Sequence, residues 1–172
     1  FVGSFGDIGC FSLHPLKNLN VCGDAGVLTT NSKEMNRKVK LLRSHGLKNR
    51  DEIEFFGYNS RMDTIQAVVA LHNLKNLDTV TAKRITNAEM YDSLLSDMND
   101  DVVIPPRRLD IRQVFHTYIV QVREREKLIE YLDANGVETK IHYPIPIHLQ
   151  EPCREIGLKS DDLHETEKQR SE

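Results

Sequence analysis

Apolar runs and turn residues alternate over the first third of the chain. Residues 8–13, bounded by Gly6-Asp7 and Pro15, form a short apolar run that predicts a buried strand, and residues 25–30 form a second. The loop between them is too short for a crossover helix, so if the two strands are neighbours they are antiparallel. Ser32 is placed to cap a helix through Met35, Val39 and Leu42, ending near His45-Gly46 and packing on the sheet. Residues 49–61 have no sustained period and read as an ordered loop or a short hairpin. Asp63 and Gln66 stand in capping-box spacing, and Ile65, Val68, Val69 and His72 continue an apolar face. With no proline or glycine before Pro105, one long helix is expected from Asp63 to about Met98. A helix of that length usually bridges two packed bodies, which places a domain boundary near Leu77.

Beyond it the pattern predicts a small α/β unit. Strands are expected at 102–104, 114–122 and 138–142, with a helix over 124–135 stopped by Gly136. In the second strand His116, Tyr118, Val120 and Val122 share one face, with Thr117, Ile119 and Gln121 on the other. The expected class is therefore α/β, with residues 1–77 and 78–172 as two domains.

Composition mainly excludes. The 172 residues are 39% hydrophobic with a net charge of -3 and spread basic residues, so no concentrated basic face speaks for nucleic acid. No apolar run approaches the roughly 18 residues needed to span a bilayer. Cys10, Cys22 and Cys153 are odd in number and lack zinc-ligand spacing, which fits a reducing, cytoplasmic setting with neither disulfide framework nor metal. The chain opens on Phe1 inside a turn and closes on a charged run, 165–172, so a fragment of a longer protein is expected.

The densest cluster of chemically able residues lies at the first loop. A strand delivers Ser12, His14 and Lys17 to one turn. A lysine on a tight loop between buried strands is partly desolvated, which favours a neutral amine able to attack carbonyls. Position alone leaves the other reading open, a surface lysine on a loop. His14 and His116, beside apolar strands, read as packed, hydrogen-bonded residues.

The segment GDIGCFSLHPLKNLNVCGDAGVLTTN (residues 6–31) resembles the cofactor-lysine segment of the DegT/DnrJ/EryC1/StrS aminotransferases, enzymes of nucleotide-linked sugars. The resemblance implies that Lys17 carries pyridoxal 5′-phosphate (PLP) and that Ser12 contacts its phosphate. Related sugar dehydratases have histidine at the lysine position, so Lys17 favours transamination. A second block, Gly57-Tyr58-Asn59-Ser60-Arg61-Met62, is similar to a family stretch whose asparagine reaches the phosphate of the neighbouring subunit's PLP. That role passes to Asn59, with Arg61 expected to pair with Asp63. In a third block, residues 136–150, the resemblance implies that Tyr143 and His148 face the substrate; for His148, as for His142, an ordinary turn or strand histidine is an equal reading.

Together the blocks imply part of a fold-type-I PLP-dependent transferase: the end of the large cofactor domain and a small C-terminal domain. The implied activity is transfer of an amino group, from a donor such as glutamate, to a nucleotide-linked keto-sugar in amino-sugar or polysaccharide biosynthesis, by a homodimer with shared active sites. A complete member would supply further cofactor contacts upstream of Phe1, so the fragment alone is expected to be inactive. The competing readings are a non-catalytic remnant acting only in association, and a different PLP enzyme of the same fold type.

Overall fold

The computed structural model describes residues 1–98, 101–160 and 162–171, and the chain folds as two compact units. The first comprises Phe1–Thr86 with Val114–His116, the second Asn87–Gln113 with Thr117–Glu172.

In the first unit, β1 (Gly9–Ser12) and β2 (Gly26–Thr29) pair antiparallel, with Gly9 opposite Thr29 and Ser12 opposite Gly26, as the short loop requires. The ladder continues past the strands through Leu13 N–H to Ala25 O (2.8 Å). Leu13 and Val21, 2% and 3% exposed, anchor the loop from inside. The sheet surface is otherwise open: Phe11, Val27 and Leu28 are exposed.

Ser32 caps α1 (Lys33–Leu42) by accepting from Met35 N–H (3.2 Å). No residue of α1 is buried, so the expected packing on the sheet does not cover its apolar face. Its C-terminal end is instead stitched to residues 44–60. His45 and Gly46 take positive φ (61° and 74°), and the chain returns as a hairpin-like loop. Leu47 bridges Ile53, Ser44 bridges Asn59, and the Leu42 carbonyl accepts from Tyr58 N–H (2.7 Å). Gly46 is required there, since a Cβ would collide with the Phe55 carbonyl.

The long helix expected from Asp63 is two helices, α2 (Thr64–Leu74) and α3 (Leu77–Leu95). The break needs neither proline nor glycine. Lys75 and Asn76 N–H turn to carbonyls three residues back, His72 and Asn73, and the ladder restarts when Val80 N–H finds Asn76 O. The capping box is also absent. Asp63 precedes α2 but its side chain accepts no capping bond, while the Gln66 side-chain oxygen takes Cys22 N–H (2.9 Å). Asn73 Nδ2 likewise reaches Asn20 O and Oδ1, both at 3.0 Å, so α2 spends its polar side chains on bracing the loop after β1.

In the second unit, β3 (Val102–Val103) pairs antiparallel with β4 (Gln121–Val122). The expected strand over 114–122 is thus only its last two residues. Phe115 has φ 47°, and the carbonyls of residues 114–116 accept from side chains of the first unit rather than from a strand. α4 (Arg125–Ala134) ends as expected: Gly136, with φ 76°, and Val137 return N–H groups to Asp133 and Leu132 O. Residues 138–142 form no strand, for alternation supplies a face but no partner ladder. A 3₁₀ turn (Ile147–Leu149), α5 (Glu151–Glu155) and α6 (His164–Ser171) complete the unit, α6 arising from the charged run.

One ionic cluster ties α3 to the segment after β3. Arg107 donates twice to Asp92 (2.8 and 2.9 Å), Tyr118 Oη donates to the same carboxylate (2.7 Å), and the Tyr118 ring stacks on Tyr91. The Arg107 hydrogen bond holds the Asp92 carboxyl below its ordinary range; burial, with the Asp92 bond, pushes the Tyr118 phenol up to about 12. Among the described residues no helix is long and apolar enough to cross a membrane.

Candidate active site

The turn after β1 is built almost entirely from main-chain bonds. Pro15 occupies the second position of a turn closed by Lys17 N–H to His14 O (2.9 Å), a place its fixed φ suits. Val21 N–H returns to Leu13 O (3.0 Å), and Asn20 Nδ2 donates to Lys17 O (3.1 Å). The backbone of Lys17 is therefore held from both sides while its side chain stays uncommitted to any carboxylate among the described residues. It is half-buried, and Nζ lies 3.1 Å from His116 Nε2.

Ser12 ends β1 on the strand that leads into this turn. Its Oγ accepts from His14 N–H (3.3 Å), which leaves the hydroxyl proton for an acceptor such as a phosphate oxygen. A primary amine for an aldehyde and a hydroxyl for a phosphate, on one hydrogen-bonded strand and turn, suit PLP in the chemistry of their donors.

Asn59 stands on a separate element, the hairpin-like loop after α1. Its backbone bridges Ser44 and its side chain is exposed. Arg61, expected to pair with Asp63, donates instead to Ser44 Oγ (3.1 Å), which fastens the same strand end.

Tyr143 and His148 come together in the second unit, on a cavity of about 530 Å³ that Ile145, Leu158, Leu163 and Arg170 also line. Tyr143 is 71% exposed. His148 is 3% exposed, and its Nε2 sits 2.9 Å from Glu167 Oε1, whose other oxygen accepts from Ser160 Oγ (3.0 Å). Arg170 Nε donates to Pro144 O (2.8 Å), so α6 is pinned to the turn before the 3₁₀ segment.

Sequence reasoning misses the role of His116. By pattern it is a packed strand residue, yet it meets the lysine from 99 positions away. No local pattern joins positions 17 and 116; the only signal is a histidine in an otherwise apolar and aromatic stretch.

The profile of the DegT/DnrJ/EryC1/StrS aminotransferase family matches residues 1–172. A pleiotropic regulatory protein of Geobacillus stearothermophilus is 36% identical over 168 residues, covering 97% of this chain and 45% of the relative. UDP-N-acetyl-3-dehydro-α-D-glucosamine 3-aminotransferase of Acidithiobacillus ferrooxidans is 38% identical over 149 residues, covering 87% and 40%. Among solved structures, Streptomyces venezuelae DesV in complex with a ketimine intermediate superposes with a TM-score of 0.92 at 31% identity, over 98% of this chain and 45% of that one. Bacillus subtilis NtdA with bound cofactor PMP gives 0.88 at 31% identity, over 97% and 40%. The chain spans less than half the length of these relatives. Its mixed α/β fold is that of part of a fold-type-I PLP-dependent transferase, as expected from the sequence. Because the family match runs from the first residue to the last, the chain belongs to the DegT/DnrJ/EryC1/StrS aminotransferases, a PLP-dependent family.

Proposed function

We propose that the full-length protein is a cytoplasmic aminotransferase that moves an amino group from an amino-acid donor, glutamate, to a nucleotide-linked keto-sugar. The observation that carries this reading is the Lys17 amine: half-buried, unpaired with any acid among the described residues, and presented by a turn whose backbone is fastened on both sides. The relatives, a 3-aminotransferase of a UDP-linked dehydro-sugar and transaminases of dTDP-linked amino-sugars, support the substrate class.

In this reading Lys17 Nζ would hold the cofactor covalently and, when released, would accept and return a proton at Nζ. Ser12 Oγ donates to the phosphate. PLP supplies the electron sink. Asn59, exposed on a fastened strand end, donates its amide to the cofactor phosphate of a second subunit, so that a homodimer shares its sites. Tyr143 orients the sugar nucleotide from the mouth of the cavity, and His148 shapes that wall through its bond to Glu167. Residues 1–77 close the large domain and residues 78–172 form the small one, which lends the Val114–His116 segment to the first unit. The exposed apolar side chains of β1, β2 and α2, Phe11, Leu28, Ile65 and Val68 among them, are covered by the remainder of the protein.

A second reading has one observation in its favour: the Geobacillus relative is called regulatory, which suits a non-catalytic association module. Both are tested by mixing full-length apoprotein with PLP, trapping with borohydride and mapping the labelled peptide. A cofactor adduct on Lys17, absent in Lys17→Ala, is the expected outcome. If no adduct forms, or the Ala variant keeps it, the catalytic reading falls and the association module stands.

A further inference from the structure

His116 reaches Lys17 by an unusual route. The segment Val114–His116 departs from its sequence neighbours and packs within the first unit. It is fastened by its carbonyl oxygens. Asn18 Nδ2 donates to Val114 O (2.7 Å), and Arg84 Nη1, on α3, donates to both Phe115 O and His116 O (3.1 Å each). Phe115 is held at φ 47°, a left-handed conformation that a bulky L residue adopts only where its surroundings fix it. Three carbonyls gripped by two side chains amount to more than is needed to close a loop. Their common effect is to set the imidazole against Nζ, and Asn18 is the residue immediately after Lys17, so one turn supplies both the amine and part of the grip.

The contact also restricts the protons. Two nitrogens 3.1 Å apart cannot both point a proton at each other, so one offers a lone pair. With Lys17 as an ammonium, that lone pair is on His116 Nε2. The Arg84 guanidinium is bonded to the His116 carbonyl, and His14, on the Lys17 turn, is occupied through Nδ1 by Leu16 N–H (3.2 Å).

We infer that His116 is the proton acceptor for Lys17, and that Arg84 and Asn18 are positioning residues that hold it there; this rests on the reading of Lys17 as the cofactor lysine. The step balances. Nζ gives one proton to His116 Nε2, leaving a neutral amine and an imidazolium. The amine lone pair forms the bond to an aldehyde carbon, and the aldehyde oxygen leaves as water, taking one proton from the nitrogen and the one held on His116. The same imidazole later receives or returns a proton whenever the amine is regenerated.

The test is the rate at which full-length apoprotein captures PLP on Lys17, measured by borohydride quenching at timed intervals and peptide mass spectrometry. His116→Gln, which keeps a hydrogen-bonding amide but cannot take the proton, and His116→Ala should each slow capture by roughly 10²-fold. Free imidazole should restore much of the rate to His116→Ala and none to His116→Gln, whose side chain fills the space. Arg84→Met should fall between wild type and His116→Gln, with Arg84→Lys recovering part of the loss. Capture by His116→Gln within about twofold of wild type overturns the proton role, as does a deficit in His116→Ala that imidazole leaves unchanged. Should His116→Ala fail to fold by circular dichroism, the His116→Gln rate decides. Failure of the underlying reading looks different: wild type itself then captures no PLP, or Lys17→Ala captures it equally.

Discussion

Asp92 in the second unit and Lys17 in the first are part-buried charges treated in opposite ways. In the second, Asp92, Arg107 and Tyr118 satisfy one another: a two-pronged ion pair, a phenol on the same carboxylate and shifted titrations in all three groups. In the first, Lys17 has no acid partner among the described residues; its surroundings grip main chain and offer its amine only an imidazole. Shifted pKa values often mark functional sites, but those of Asp92, Arg107 and Tyr118 mark a closed structural knot. A charge whose partners are all present has little left to do in chemistry, whereas an amine held by its backbone is available for it.

Substitutions can break that contrast, the largest effect first. Lys17→Arg keeps a positive charge at the turn but cannot condense with an aldehyde. All covalent cofactor should be lost while stability stays within about 0.5 kcal/mol of wild type, read by borohydride trapping and by urea melts. A large loss of stability would mean that Lys17 is structural after all, like Asp92. Gly46→Ala drives a Cβ into the Phe55 carbonyl at a left-handed position and should cost about 2–3 kcal/mol. Because the same loop carries Asn59, the shared-site homodimer proposed above predicts that subunit association in the full-length protein weakens with it, read by analytical ultracentrifugation.

Asp92→Asn should cost about 1 kcal/mol, the pair being only partly shielded from water, with Tyr118→Phe costing less. The carboxyl is depressed in the folded state. Its contribution is therefore complete above about pH 4 and lost as pH falls through the lower folded value. Acid melts of Asp92→Asn should be flatter than wild type over that window; parallel curves would dissolve the contrast between the units. The smallest change, Ser32→Ala, removes the α1 cap and should cost about 1 kcal/mol or less without touching cofactor capture.

Much of this was legible in the residues. The antiparallel β1–β2 pair followed from a loop too short for a crossover, the α1 cap from Ser32, and the α4 stop from Gly136. These depend on neighbours a few positions apart. The errors fall where distant partners compete for backbone or side-chain groups. The capping box at Asp63 and Gln66 was lost because Cys22 N–H claimed the glutamine oxygen. The long helix broke at Lys75 with no breaker residue. The expected strand lost its start, residues 114–116, whose carbonyls accept from Asn18 and Arg84 instead of a neighbouring strand.

By itself the sequence determined the local framework, the family and the lysine to watch, because strand–turn chemistry and motif spacing are short-range. Only the tertiary structure decided which groups that lysine meets and which charges are already satisfied. A hydrogen bond across 99 positions leaves no periodicity to read; it exists only once two separate segments have been brought to within 3.1 Å of each other.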